Sequence, residues 1–385
     1  MNLLFKPAIA FVSSCIVLGS SSPVQQTIET PTPQKSKSKI QAAILLDVSN
    51  SMDGLIDQAK AQLWNMVSVM GKAKCDDGSP QIEIALYEYG RTNNDVNKGY
   101  VKQISPFTSD LDKLSQSLFS LKTYGGDEYC GQVIYTSLDE LKWDADPNNY
   151  KVIFISGNED FLQGKVHYTL ACAEAKKKGV IVNTIYCGDR LQGIKEHWNL
   201  SAECGNGSFT NINSDAKQED IPTPYDTTLV TLNYKLNRTY ISYGAEGKRG
   251  EALQGAMDTQ NKQLSTAAGL KRISTKAEKN LYYNSTWDLV DAAADDKEVL
   301  RKIDFKTLPD SLRNKSKEQV QAIITQKSAE RAKIQDQIRD VTGKRESYLA
   351  EEKARRAKTN SDPTLETEVE KIIREQVKRF NMKIE

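Results

Sequence analysis

A chain of 385 residues, 38% hydrophobic and 27% charged with mean hydropathy −0.56, has material for a sizeable core but too little for a membrane bundle. Its formal net charge of +1 sets up no field to recruit nucleic acid or an anionic surface, so nucleic acid is excluded as an expected partner. The two histidines, His167 and His197, leave almost nothing for a His-rich metal site or for catalysis that needs several imidazoles.

Residues 1–22 read as a secretory signal, with Lys6 ahead of an apolar stretch from Ala8 to Leu18 and the small residues Gly19-Ser20-Ser21-Ser22 behind it. The stretch is too short to span a bilayer permanently. Val12-Ser13-Ser14-Cys15 also resembles a lipobox, although apolar Ile16 to Leu18 follow it; in that alternative a lipid on Cys15 would be the chain's one membrane contact. The expected location is therefore exported, in the periplasm or cell envelope of a bacterium. Residues 23–39, rich in Ser, Thr, Pro, Gln and Lys, read as a flexible linker. Behind the leader come Cys75, Cys130, Cys172, Cys187 and Cys204, which in an oxidising compartment allow at most two disulfides, with the pairing open.

Residues 40–213 alternate short apolar runs with amphipathic stretches, which predicts an α/β fold with a doubly wound, mostly parallel sheet. Ile40 to Val48 is a continuous apolar run suited to a central strand. Leu55, Ala59, Leu63, Met66, Val67 and Met70 then mark one face of a helix. Ile82 to Tyr89 and Tyr100 to Phe107 read as strands, followed by a helix striped by Leu111, Leu114, Leu118 and Leu121. A Gly-Gly loop leads to a helix with Val133, Ile134, Leu138 and Leu141. Val152 to Ile155 is a buried strand, Val166 to Lys178 a helix, Val180 to Tyr186 a strand and Ser208 to Ile212 the last strand.

In residues 214–250 the β-prone Val230, Tyr234, Tyr240 and Ile241 predict an edge hairpin or connection over Leu229 to Tyr243. Residues 251–385 form a helical C-terminal region, partly coiled-coil-like, with a seam of Val320, Ile324, Ile334, Ile338, Val341 and Tyr348 interrupted by Lys327, Arg331 and Arg345. A long helix packed on its own domain is preferred here over a coiled-coil dimer. Asp362-Pro363 breaks the pattern before a final amphipathic helix from Leu365 to Phe380.

The sharpest chemical signal is Asp47-Val48-Ser49-Asn50-Ser51, at the carboxyl end of a buried strand, where ligands bind in open α/β sheets. A carboxylate and two hydroxyls on alternate residues can face one point and offer a hard cation an all-oxygen cluster. Asp-x-Ser-x-Ser after an apolar strand resembles the first element of the metal-ion-dependent adhesion site of von Willebrand factor A (VWA) domains, over residues 40–212. The resemblance implies a VWA or Rossmann-like fold and a divalent cation, Mg²⁺ or else Mn²⁺ or Ca²⁺. It further implies a threonine in a later Gly-Gly loop and an aspartate at the end of the next strand. Here Gly125-Gly126-Asp127-Glu128 occupies that loop and Asp127 takes the threonine position; Gly157 aligns with the aspartate, so that ligand is lost or replaced by Asn158 or Glu159. Gly125, Gly126, Glu128 and Gly157 would then shape the binding face. The alternative for Asp47 is a strand-end carboxylate that caps the following helix or the Gly-Gly loop, with no metal.

The expected function is a non-enzymatic binding protein whose cation is completed by an acidic residue of a protein partner. A metal-free structural component of an envelope assembly is the alternative, and a non-catalytic partner in an enzyme complex the third. No phosphate loop, nucleophile elbow or His-Glu-x-x-His occurs, and neither histidine is placed to activate Cys130 or Ser49.

Overall fold

A computed structural model describes residues 38–76, 78–213, 220–356 and 364–384. The leader, Cys15 and all but the end of the 23–39 linker lie outside these residues. Strand β1 (Lys39–Asp47) leads into helix α1 (Asp53–Gly71), then the short β2 (Ala73–Lys74), β3 (Gln81–Tyr89), β4 (Lys102–Thr108), α2 (Leu111–Ser120) and α3 (Cys130–Glu140). There follow β5 (Tyr150–Gly157), α4 (Tyr168–Lys178), β6 (Ile181–Cys187), α5 (Arg190–Lys195), α6 (Trp198–Cys204) and β7 (Phe209–Ile212).

Six of these strands form one sheet in the order β4-β3-β1-β5-β6-β7, parallel throughout except for the antiparallel edge strand β4. Central β1 needs apolar side chains on both faces because helices cover both. Ile40, Ala42 and Leu46 face a core shared with α1 and α2, while Ala43 and Leu45 face one shared with α3 and α4. The chain winds away from β1 in opposite directions through β3 and β5. The carboxyl end of β1 is therefore the topological switch point, and Asp47 stands on it.

The sheet domain does not end at residue 213. After a helical excursion the chain returns as α14 (Leu365–Gln376) and β8 (Lys383–Ile384), the last pairing with β2 through Ala73 opposite Ile384. Leu365, Val369, Ile372, Ile373, Val377 and Met382 join the α1 face of the core. Gln376 bridges two strands, accepting from Tyr150 Oη at 2.9 Å and exchanging bonds with the Asn183 amide. The expected 40–213 boundary is thus corrected: the final helix, read from sequence as part of the helical region, completes the sheet domain.

The excursion contains α7 (Asp226–Asn237), α8 (Gly247–Leu264), α9 (Thr266–Lys276), α10 (Leu289–Asp295), the single turns α11 (Val299–Lys302) and α12 (Asp310–Arg313), and the forty-residue α13 (Lys317–Arg356). The expected edge hairpin is instead α7. Leu229, Leu232 and Leu236 form its buried face, a helical spacing that outweighs the β propensity of Val230 and Tyr234, which stay exposed. The α13 seam is real but faces its own chain. Val320, Ile324, Ile334 and Ile338 are buried against helices of the excursion, and the interrupting Arg331 and Arg345 are buried with acidic partners, Asp288 and Asp291 for one and Asp226 for the other. The excursion is fastened to α1 and α2 by polar contacts. Trp64 donates its indole N–H to Asn261 at 2.7 Å, Arg272 pairs with Asp112, and the same guanidinium lies 4.6 Å from the Trp64 ring. One disulfide, Cys172–Cys204, ties α4 to α6, while Cys130 and Cys187 are buried thiols. Among the described residues no helix is long and apolar enough to cross a membrane.

Candidate cation site at the strand ends

Asp47 is fully buried because the loops that follow β1, β3 and β5 close over the strand ends. Its Oδ1 accepts the Ser49 amide at 2.7 Å, which turns the chain so that the Ser49 and Ser51 hydroxyls lie side by side, 3.5 Å apart. Asn158, just past β5, donates its amide to Ser51 Oγ at 3.2 Å. Two oxygens in this group are buried with no hydrogen-bond donor: Asp47 Oδ2 and Asn158 Oδ1. A buried acceptor left unpaired costs on the order of 1–3 kcal/mol, more when charged, so the Asp47 oxygen is open to a proton or a cation and the Asn158 amide oxygen to a hydrogen-bond donor or a cation.

The Gly-Gly loop supplies the opposite wall. Gly90 holds φ +79°, and a Cβ there would lie 2.8 Å from Asp47 Oδ1 and 2.9 Å from Glu128 Cγ, so this glycine is the seam on which two carboxylate side chains meet. Gly126 lets the loop press onto the backbone carbonyl of Gly90, where a Cβ would be 2.7 Å away, and Gly125 lies against Asn50. Glu128 is buried here, whereas Asp127 is exposed and accepts the Tyr129 hydroxyl at 3.1 Å. The inward carboxylate is therefore Glu128, one residue beyond the expected Asp127, because the turn after Gly126 points residue 127 to solvent.

At Gly157 a Cβ would meet the Tyr89 hydroxyl at 2.5 Å and Asp47 Oδ2 at 3.1 Å. Tyr89 fills the room an aspartate at this position would need and donates to the Ser156 carbonyl at 3.0 Å. Of the two expected substitutes, Asn158 reaches Ser51, while Glu159 is exposed and acts on the site through its charge.

The electrostatics follow from this crowding. Burial pushes the Asp47 carboxyl up to about 7, against the opposing pull of the Ser49 amide and hydroxyl and with a further push from Glu159. Burial, then Asp47, then Glu159 push Glu128 up to about 8. Burial holds the Cys130 thiol, 3.8 Å from Tyr89 Oη, well above its ordinary range. The group is an all-oxygen set with excess negative charge, as a hard divalent cation requires. It is not a ready-made cage, since no group of three or more His, Cys, Asp or Glu side chains among the described residues is set to hold a metal. Within these limits the residues fit such an ion with several waters retained.

Tyr89 and Gly90 escaped the sequence reading, which placed Glu128 on the binding face but took Asp127 as the inward carboxylate. The one available signal was Gly90 directly after a period-two strand, where a turn with positive φ is expected.

No protein-family model matches the chain, and no curated protein does. Solved structures similar to it include the SpRpn10 VWA domain, 16% identical over 45% of this chain and 88% of that one, with TM-score 0.34. An aerotolerance-related membrane protein from Bacteroides fragilis is 17% identical over 46% of this chain and 93% of its own, with TM-score 0.33. Proximal thread matrix protein 1 from the mussel byssus, in a structure with a zinc-occupied MIDAS motif, is 14% identical over 46% of this chain, with TM-score 0.34. The present chain spans about two fifths of that protein's length, at 42%. The strand order and the place of Asp47 at the switch point decide the fold. The sheet domain is doubly wound and mostly parallel, the fold class that the sequence predicted. At its switch point Asp47, Ser49 and Ser51 stand together, the Gly-Gly loop turns Glu128 inward in place of Asp127, and Tyr89 occupies the space beside Gly157.

Proposed function

We propose that the VWA domain is a non-catalytic binding module of an exported protein, which takes up a hard divalent cation, Mg²⁺, Mn²⁺ or Ca²⁺, at Asp47, Ser49 and Ser51, with Glu128 and Asn158 alongside. The carrying observation is Asp47 Oδ2, a fully buried carboxylate oxygen without a donor, beside a second orphan oxygen on Asn158. A bound ion would supply the positive charge this pair lacks and an attachment point for a carboxylate of a protein partner. The Cys172–Cys204 disulfide supports an oxidising, extracytoplasmic setting. The burial of Cys130 and its raised thiol speak against a nucleophilic role.

The test is thermal unfolding of the chain with a chelator and with millimolar Mg²⁺, Mn²⁺ or Ca²⁺, beside Asp47→Ala. A ligand bound only by the folded state adds about 2.7 kcal/mol at a hundredfold excess over its dissociation constant, so the wild-type midpoint should rise and that of Asp47→Ala should not. If no ion raises the wild-type midpoint, the module is a metal-free scaffold. That second reading draws on Tyr89, which blocks the missing aspartate at Gly157, and on carboxyls raised enough for a proton to replace the cation.

A further inference from the structure

The loop that carries Asn158 and Glu159 leaves β5 beside Asp47 and runs directly into α4. One short stretch of chain holds its middle from outside. The Phe161 amide donates to the Glu196 carbonyl at 2.9 Å, His197 Nδ1 lies 3.1 Å from Asp160 Oδ1, and the Trp198 indole N–H donates to the Glu159 carbonyl at 2.8 Å. Phe161 also packs edge-on against the Trp198 ring, 4.9 Å between centroids. Trp198 opens α6, a helix of seven residues, too short to persist on its own. The last residue of α6 is Cys204, bonded to Cys172 in α4 with their Cα atoms 5.8 Å apart. The disulfide thus closes a ring whose two ends are the element the loop enters and the element that clamps it. Cys172 is buried while Cys204 is exposed, so the bond can be attacked from solvent on the Cys204 side.

We propose that the Cys172–Cys204 disulfide is a redox latch on the strand-end site: intact, it holds α6 and through it Asn158 and Glu159 in place; reduced, it releases them. The inference rests on the proposed function only in taking Asn158 and Glu159 as part of that site. The reductant is a dithiol. Its thiolate attacks Cys204 Sγ, the bond to Cys172 Sγ breaks, and Cys172 departs as a thiolate that takes a proton. The second thiol of the reductant then displaces Cys204 from the mixed disulfide. The protein is left with two thiols and the reductant with one disulfide, a balanced two-electron exchange.

The experiment is amide hydrogen exchange on the full chain, oxidised and then fully reduced by dithiothreitol, with Mn²⁺ affinity measured on both forms. Reduction should speed exchange in peptides covering 158–163 and 198–204 by about tenfold or more, while β1 and α1 keep their oxidised rates. The double variant Cys172→Ser/Cys204→Ser should show the same local pattern without reductant. Unchanged exchange in 158–163 after full reduction overturns the latch. Equal acceleration in β1 and α1 overturns it as well, because the bond would then stabilise the domain as a whole. A weaker Mn²⁺ affinity in the reduced form supports both readings; local loosening with no Mn²⁺ binding by either form upholds the latch and removes the cation.

Discussion

Gly90 sets the spacing of the two carboxylates at the strand ends. It combines a φ of +79° with a site where a Cβ would press on both Asp47 and Glu128, so Gly90→Ala adds backbone strain to a steric clash. The expected cost is about 2–4 kcal/mol in urea unfolding, and a loss below about 0.5 kcal/mol would mean that the wall has slack. The raised carboxyls make a second prediction. Asp47 and Glu128 lose their protons near 4 in the unfolded chain but at about 7 and about 8 in the native one, so between these limits the folded state binds more protons. Their contribution to stability is therefore fully present below about pH 4 and is lost as pH rises through 7 to 8 in chelator, at about 1.4 kcal/mol for each pH unit by which folding raises a group's titration. Saturating Mg²⁺ should flatten that slope, and a level profile in chelator would show that the two groups ionise freely. At this scale Asp47, Ser49 and Ser51 were legible because a strand end and a two-residue period fix where they point. Glu128 was legible as part of the binding face but not as the inward carboxylate, because no period governs side-chain direction after Gly125-Gly126; the conflict of Tyr89 with Gly157 was hidden because it joins strands remote in sequence.

The long helix α13 shows what an element's charges can conceal. In the sequence Arg331 interrupts an apolar seam; in the fold it is the centre of a buried network. It donates to Asp288 and Asp291 at 2.7 Å each and to Thr239 twice, with its guanidinium 4.0 Å from the Tyr240 ring. Arg331→Met would leave two buried aspartates without their cation, a change expected to cost about 3–5 kcal/mol. Adding Asp288→Asn and Asp291→Asn to it should recover part of the loss, since the desolvated charges go too. If the triple variant is as unstable as the sum of its parts in urea unfolding, the pairing contributes nothing and the packing of the arginine stem carries the effect. The helical spacing of α7 was equally present in Leu229, Leu232 and Leu236, but single-residue β propensity at Val230 and Tyr234 pointed the other way. Burial decided between them, and burial belongs to the tertiary fold.

At the largest scale the described residues form a doubly wound sheet domain interrupted before its last helix. The strands of the large sheet, β1 and β3 to β7, were readable in order as apolar runs or period-two stretches, whereas the two-residue β2 was not. The return of α14 to the same core was hidden, since an amphipathic helix does not state what it packs on. Gln58 on α1 marks the junction: its amide donates to the Asn213 carbonyl at 2.7 Å and accepts from the Leu365 amide at 3.0 Å. One side chain thus bridges the points where the chain leaves the sheet domain and comes back, so the excursion begins and ends at one place. Two truncations should then behave in opposite ways. A chain stopping at residue 213 exposes the α1 face that Leu365, Val369, Ile372, Ile373, Val377 and Met382 cover. At about 1.5–3 kcal/mol per buried side chain this loss rivals the 5–15 kcal/mol stability of an ordinary domain, so it should unfold without a cooperative urea transition and bind a hydrophobic dye. A chain in which a Gly-Ser linker of about four residues, reaching some 13 Å, joins residue 213 to residue 364 keeps that helix and should unfold cooperatively. It will be weaker than the full chain, because Trp64, Asp112 and Ser115 lose their partners Asn261 and Arg272. A cooperative fold in the chain ending at 213 would make α14 an appendage. Failure of the linked chain alone would instead make the helical excursion part of the folding unit, and the insertion reading would fall.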